Sequence, residues 1–569
     1  MEAGKRTLNE IFNGNRRINI PFFQRMYVWQ EPQWERFLSD MEMISFRNEP
    51  YFLGSVILKQ QLTNSNSNVG DSRTLIDGQQ RLTTLNIFFK VLYLKTNRNN
   101  SFNRLFRLDI EQEPLAINHN YNDIEAFEKV MSLTELVEFD LNKYQGKIYA
   151  AYEFFRKNIN TKLLNDQSIK DKIMFVGIDL SSDDDEQQIF DTINSLGVRL
   201  TTAELLKNYF FNDKKDIDYF NQYWKDVFDD PEKTSFWDKE IITGRISRTM
   251  VDLFFHSFLQ IKIQSKDLKI SSADKTEFSR VESLFNSYKK FIKNYKVDKI
   301  DLLKEIKEYA NLFIKFDFDC INYKLSNEDS IDRINNIIFG LGQSTLIPYV
   351  LYLLKNTGEE EQNKIFNLLE SYMLRRIISR SNNKNYNSLF EQLISNEIDS
   401  REKLFVYLSN QQDDTNNNMP SNKELLDGFK NSKLVNAQAL GVLYMLESKI
   451  RNNDKHSTQL LGMKKYSLEH LMPKKWKKNW GDCEKPDIRD HKLLTLGNLT
   501  IITQSLNASI RDSNWEIKKE GRKNNGLKAY SAGIETLTPY LELSDWNENE
   551  IDKRALDLYE KAILVWENK

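Results

Sequence analysis

The residues best suited to chemistry lie between Tyr466 and Lys518. Tyr466-Ser-Leu-Glu-His470 reads as a short strand ending in an acid–histidine pair, with Pro473 just beyond, in a chain that holds only five histidines. Downstream, Lys492 to Leu496 and Leu499 to Thr503 read as strands joined by Gly497-Asn498, a good hairpin pair. Asn507 follows, and Ser513-Asn-Trp-Glu516 reads as a capping box opening a helix that carries Lys518 and Lys519. A neutral imidazole at His470 can act as general base on water near neutral pH. Oxygen ligands from Glu469 and Asn507 suit a hard cation, Mg²⁺ or Mn²⁺, that polarises a phosphate and stabilises the leaving oxygen. Asn498 would hold the loop or the imidazole ring by a hydrogen bond, and Lys518 would neutralise phosphate charge. The set is coherent for phosphodiester hydrolysis, although a lone Glu-His pair is also what a histidine without function looks like.

Electrostatics add to it. Lys464, Lys465, Lys474, Lys475, Lys477 and Lys478 surround the pair, with Trp476 and Trp480 among them. A lysine run by itself is usually a solvated face. Its placement around His470 is what points to a DNA backbone.

A second constellation lies near the N-terminus, in Thr74-Leu-Ile-Asp-Gly-Gln-Gln-Arg-Leu-Thr-Thr84. A short apolar strand runs into Asp77-Gly78, and a helix starts at once. Gly78 permits a tight turn and close approach of a ligand. The free N–H groups at the helix start favour an anion such as phosphate, and Gln79, Gln80, Arg81 and Thr83 add polar groups at the same spot. The bland alternative is that Asp77 caps the helix and Gly78 turns the chain. Two neighbouring segments strengthen the ligand reading. Ile20 to Trp29 gathers Gln24, Arg25, Tyr27 and Trp29 in a short irregular segment after a strand, and Ile189 to Gly197 reads as a helix with Asn194 near its stop. Thr201 with Glu204 then forms a capping box. The acidic run Asp183 to Glu186 reads as the first turn of a helix, favoured by the macrodipole.

The elements that must position these residues can be traced along the chain. At 569 residues the protein exceeds one hydrophobic core, and about two to four domains are expected. Tyr51 to Leu58 and Arg73 to Ile76 read as strands. Trp34, Phe37, Leu38 and Met41 share one helical face, as do Leu82, Leu85, Phe89 and Leu92. From Phe236 to Leu408 the pattern is mostly helical, including Ile337 to Leu354 and Ile365 to Ile378. A last amphipathic helix aligns Ala555, Leu558, Ala562 and Val565. The polar stretches Thr63 to Ser72 and Gln411 to Asn422 read as a loop and a linker. The expected division is 1–215, a helical scaffold 216–410, a linker 411–422, and 423–569.

Composition sets limits. The formal charge of −2 excludes a uniformly basic DNA-coating protein but not a local basic patch. No run approaches the roughly 20 apolar residues of a membrane span, and Met1 to Ile11 lacks the apolar region of a secretory signal. Cys320 and Cys483, far apart, support neither a disulfide framework nor a cysteine-based zinc site. A cytoplasmic location is expected.

Two resemblances join these observations. Pro21-x-x-Gln24-Arg25-x-Tyr27-x-Trp29, Asp77-Gly78-Gln79-Gln80-Arg81 and Phe190-x-x-x-Asn194-x-x-Gly197-x-x-Leu200, with His119-Asn-Tyr-Asn-Asp123 and Phe127, resemble the DUF262 domain over roughly the first 210 residues. That domain is similar to ParB and sulfiredoxin, and the resemblance implies nucleotide binding, with hydrolysis, around Asp77 to Arg81. Glu469-His470-x-x-Pro473, Leu496-Gly497-Asn498-Leu499, Asn507, Ser513-Asn514 and Lys518 resemble the DUF1524 domain, an HNH-like ββα-metal member of the His-Me finger nucleases. By that resemblance His470 is the general base, while Glu469 and Asn507 are metal ligands. Trp546, Arg554 and Trp566 fit its helical tail. Arg375-Arg376 and Lys384-Asn385-Tyr386-Asn387 also resemble family positions, structural or DNA-contacting. The order of the two domains is that of single-chain GmrSD-type type IV restriction enzymes, an architecture shared by phosphorothioate-sensing SspE-type proteins.

The resulting expectation is a multidomain α+β chain in which a nucleoside triphosphate binds at Asp77 to Arg81. Gln24, Arg25, Tyr27 and Trp29 would sense modified phage DNA, and cutting at His470 would follow nucleotide state; a homo-oligomer stays open. Two alternatives stand beside it. One is a nucleotide-dependent DNA-binding switch without nuclease turnover, and the other is a nuclease acting on RNA or on any DNA.

Overall fold

The computed structural model describes every residue except 1, 13–14, 22–23, 25, 62–70, 111–113, 182–201, 212–213, 244–245, 329, 412–416, 452–459, 482, 523, 531–532 and 569. Arg25, Asn194, Gly197, Asp183 to Glu186 and most of the Thr63 to Ser72 loop therefore lie outside the described residues. The chain divides into two compact units, Met1–Asp230 and Pro231–Lys569.

The first unit is built on a six-stranded mixed sheet in the order β1-β6-β3-β4-β2-β5. Its strands are β1 (Glu2–Thr7), β2 (Arg16–Asn19), β3 (Tyr51–Gln60), β4 (Asp71–Asp77), β5 (Ile117–Asn118) and β6 (Ile173–Leu180). β3 runs parallel to β6 and antiparallel to β4, while β2 pairs in parallel with both β4 and β5. β-branched and aliphatic residues at Val56, Leu58 and Leu75 face a core shared with the helices.

The helix Gln79–Lys95 leaves β4 after one residue and is buried on every side from Leu82 to Leu94. Sequence periodicity marks only Leu82, Leu85, Phe89 and Leu92. Ile87, Phe88 and Val91 are equally buried because neighbouring helices wrap this one. Phe88 stacks edge-on against Phe37 of the helix Glu31–Arg47 at 5.6 Å and against Phe155 of the helix Lys147–Asn158 at 5.8 Å. A helix without a solvent face makes a rigid platform for the turn at its N-terminus.

The second unit is mostly helical, with two two-stranded ribbons: β7 (Glu240–Thr243) with β8 (Ile246–Thr249), and β9 (Tyr466–His470) with β10 (Leu499–Thr503). The run Ile337 to Leu354 is not one helix. It breaks into a π-turn, a 3₁₀ turn and the helix Ile347–Asn356, with Gly342 at φ +70° between them. Arg375 and Arg376 are fully buried. Arg375 donates to the carbonyls of Trp566 and Pro420 at 2.7 and 3.0 Å, and Arg376 donates to that of Asn418 at 2.8 Å. Their role is structural, and they pin the stretch read as a linker at 418 to 420.

The hairpin expected across Gly497-Asn498 is replaced by a longer one. Lys492 ends the helix Pro486–Lys492, and Leu496–Asn498 is a 3₁₀ turn. β10 instead pairs with β9, placing Leu499 opposite His470 and Thr503 opposite Tyr466. Asn498, fully buried, explains the difference. Its Nδ2 donates to the Met472 and Leu493 carbonyls, while its Oδ1 accepts from the Met472 N–H and the Trp546 indole. The last helix, Glu548–Val565, buries Ala555, Leu558 and Ala562. Its Arg554 donates to the carbonyls of Gly497 and Leu499 at 2.9 and 2.7 Å.

Gly497 sits so close to this helix that an added Cβ would lie 2.3 Å from the Ile551 carbonyl oxygen. Gly497→Ala is expected to force the turn off the helix and cost about 1–3 kcal/mol. A lowered urea midpoint, read by tryptophan fluorescence, checks this; an unchanged midpoint would contradict it.

Candidate functional site

In the second unit a strand pair runs directly into a helix: β9, then β10, then Gln504–Ile510. Asn507, one turn into that helix, donates through Nδ2 to Ser467 Oγ at 3.0 Å and to the Leu468 carbonyl at 3.2 Å. The helix is thereby tied to the strand that ends in His470, and the amide oxygen of Asn507 is left for another partner.

Glu469 and His470 are the last two residues of β9. Glu469 is 6% exposed and pairs with the fully buried Lys518 from the next helix, Trp515–Glu520. Lys518 Nζ also donates to the His470 carbonyl at 2.6 Å. Burial pushes the Glu469 carboxyl up and the Lys518 ammonium down, while each favours the charged form of the other. The helix is capped by Asn514, whose side chain accepts from the Ile517 N–H, rather than by Ser513.

His470 is half-buried at the strand end. Burial, then the nearby charges of Lys474 and Lys518, depress its pKa to about 4, with Asp512 acting in the opposite sense. The imidazole is therefore neutral at neutral pH. Asp512 also acts on Glu469 and Lys518, so it shares this site although sequence reasoning passed over it. The only signal in the sequence was an acid in the short connection between two helices. Lys474, Lys475, Lys477 and Lys478 are all exposed. Trp476 is buried, its indole donating to Asp490 at 2.7 Å, and Trp480 donates to the Trp546 carbonyl at 2.9 Å. Both tryptophans anchor the lysine-bearing loop through their indole N–H groups.

Among the described residues no group of three or more His, Cys, Asp or Glu side chains is placed to hold a metal ion. Asn507 offers its amide oxygen and Glu469 the carboxylate oxygen not facing Lys518. That donor set suits a cation that keeps waters and substrate phosphate oxygens as its other ligands, as Mg²⁺ commonly does.

In the first unit the Asp77 to Arg81 turn is drawn together by side chains. Gly78 is the helix N-cap at φ +110°, and a Cβ there would lie 3.1 Å from Val56 Cγ2. Asp77 does not cap the helix. Its Oδ2 accepts from Ser55 Oγ at 2.7 Å and from Arg81 Nη2 at 2.8 Å. Arg81 Nε is buried without a hydrogen-bond acceptor. An orphaned donor beside a glycine turn and the first N–H groups of a long helix fits a phosphate oxygen.

The other polar residues of this turn serve the segment Gln24 to Trp29. Gln80 Oε1 accepts from the Val28 N–H at 2.8 Å, and its Nε2 donates to the Met26 carbonyl at 3.2 Å. Gln24 donates to the Leu75 and Ile76 carbonyls. Tyr27 is buried, its hydroxyl bonded to Thr84 Oγ1 at 2.6 Å and accepting from the Trp34 indole at 2.8 Å, and its N–H donates to Asp123. Trp29 is half-buried against the core. Among the described residues of the segment, Met26 and Val28 have exposed side chains. Thr83 is buried against His119 Nε2 at 2.9 Å. Because His119 Nδ1 accepts the Asn120 N–H, Nε2 carries the proton and donates to Thr83. Tyr27, Gln80 and Thr83 thus position the turn and segment from within.

The comparisons agree with this division. Residues 8–211 match the GmrSD restriction endonuclease N-terminal domain, and residues 419–561 match the GmrSD restriction endonuclease C-terminal domain. With both domains present in order over more than half the chain, the protein belongs to the GmrSD-type restriction endonucleases, and DNA is its partner. No curated protein matches the chain at a significant level. No helix among the described residues is long and apolar enough to cross a membrane.

Lys518→Met is expected to strand a buried carboxylate and cost about 3–5 kcal/mol, whereas the double variant Glu469→Gln/Lys518→Met recovers most of it. Denaturant midpoints of the three proteins measure this. Equal midpoints for the single variant and the wild type would contradict the pairing.

Proposed function

We propose that the protein is a metal-dependent, nucleotide-regulated endonuclease that cuts modified phage DNA, a type IV restriction activity carried out in the cytoplasm. The observation that carries the reading is the neutral, half-buried imidazole of His470 at the end of β9, with Lys474 and Lys518 beside it and an exposed lysine loop following. The ribbon-then-helix order with Glu469-His470 at the strand end supports a His-Me finger of the HNH-like ββα-metal type. The mixed sheet with its glycine turn supports a ParB/sulfiredoxin-like N-terminal domain.

In this mechanism the lysine loop holds the DNA backbone. His470 takes a proton from water, the water oxygen forms a bond to phosphorus, and the ester oxygen departs with a proton from solvent. Glu469 and Asn507 would hold a divalent ion, which would supply positive charge to the phosphate. Lys518 keeps Glu469 ionised and fixes the His470 carbonyl, and Asn498 fixes the loop after the strand. In the first unit a nucleoside triphosphate binds at Asp77 to Arg81, and the Gln24 to Trp29 segment, clamped to that turn by Gln80, senses the modification.

The pairing of Glu469 with Lys518 favours one second reading, a DNA-binding switch without turnover, because the carboxylate is already neutralised. Matched modified and unmodified phage DNA, incubated with Mg²⁺ or Mn²⁺ and with or without nucleoside triphosphates, separates the two. Cutting of modified DNA that is lost in a folded His470→Ala variant is expected. DNA binding without cutting in the wild type would establish the switch instead. Cutting of both DNAs would remove the sensor, and cutting that survives His470→Ala would remove the assigned base.

A further inference from the structure

The helix Gln504–Ile510, which carries Asn507, ends at Arg511 with φ +42° and ψ −143°. That ψ lies outside the left-handed helical basin, in a region that glycine populates and L side chains rarely do. The turn is held there from several sides. The Arg511 N–H donates to the Asn507 carbonyl at 3.2 Å, and the Ser513 N–H donates to that of Ile510 at 3.3 Å. The Asp512 carbonyl accepts from Asn479 Nδ2 at 2.6 Å. Asn479 directly follows the run of Lys474, Lys475, Lys477 and Lys478, so the turn and the lysine loop lie side by side. Asp512 is also close enough to His470, Glu469 and Lys518 to act on the charge of all three. Arg511 therefore stands at the edge of the His470 site, where the Asn507 helix meets the lysine loop.

The fold makes little use of the Arg511 guanidinium. The side chain is exposed, and its hydrogen bond is a local one, from Nε to the Ala508 carbonyl at 3.1 Å. Among the described residues no carboxylate pairs with it, its neighbour Asp512 included, and Nη1 and Nη2 have no acceptor. A residue that strains the backbone and secures so little within the chain is explained by a partner from outside it. Two parallel N–H donors in a fixed fork match two oxygens of one phosphate, which a compact ammonium does not.

We propose that Arg511 binds a phosphate of the DNA strand entering the His470 site, so that the strand is held between this guanidinium and the Lys474 to Lys478 loop. The proposal rests on the reading of His470 as the cutting centre, but its test reads DNA binding and is decided separately.

Fluorescence anisotropy of a labelled short DNA duplex, titrated with the full chain over a series of salt concentrations, supplies that test in a His470→Ala parent. Arg511→Gly suits the strained backbone. Its urea midpoint should equal or exceed the parent's, while DNA affinity falls about threefold to tenfold and the slope of log affinity against log salt shrinks by about one. Arg511→Lys should keep the slope, because it keeps the charge, and recover only part of the affinity. Lys324→Ala removes an exposed charge elsewhere in the same unit and should weaken binding less than Arg511→Gly does. Affinity and slope unchanged in Arg511→Gly would overturn the proposal, as would a parent that binds no DNA. So would a loss that Lys324→Ala matches, or one that comes with a lowered midpoint, the mark of a purely structural role. DNA cutting by the parent would overturn the reading of His470 instead, and the same affinities would still decide the Arg511 contact.

Discussion

The proposed catalytic end of the molecule depends on one buried ion pair. Lys518 reaches from the helix Trp515–Glu520 to Glu469 and to the carbonyl of His470. That one ammonium therefore joins strand, helix and the backbone of the proposed base. Without it Glu469 would face the interior unpaired, and the last residue of β9 would lose its anchor. The charge that stabilises Glu469 also acts on His470, helping to keep its imidazole neutral. Structure and chemistry here rest on the same side chain.

The first unit solves a similar problem with a wider hydrogen-bond network. Gln80 bonds the backbone on both sides of Tyr27, Tyr27 donates to Asp123, and Thr83 accepts from His119. Four segments that are distant in sequence meet around one glycine turn. Most of their polar atoms are consumed by that assembly. What remains for a ligand is the turn itself, the start of the helix and Arg81 Nε.

Much of this was legible in the sequence because it is local. β9 is Tyr466 to His470 as alternation and the acid–histidine end suggested, and the last helix buries the Ala555, Leu558 and Ala562 face. The hairpin was misread because Gly497-Asn498 is strong turn chemistry, while the partner of β10 lies about thirty residues upstream. Only Asn498, reaching Met472 and Leu493, reveals why the chain turns there without pairing. Side-chain direction was also hidden. Tyr27 and Trp476 looked like exposed aromatic contacts, yet each is buried with its polar atom bonded. Arg375 and Arg376 looked equally like DNA contacts and core residues until their carbonyl partners decided it. Asp512 leaves no motif, because its place in the site depends on residues brought together only by the fold.

The claim that binds these parts together is that His470 acts as a base already neutral at physiological pH. A pH–rate profile for single-turnover DNA cleavage measures it directly. A base charges on acidification, so activity should hold from neutral pH down through the ordinary histidine range and fall only at lower pH, where the depressed His470 imidazole, at about 4, and the raised Glu469 carboxyl take up protons. An acid limb centred near the ordinary histidine value of about 6.5 would contradict the account of the site.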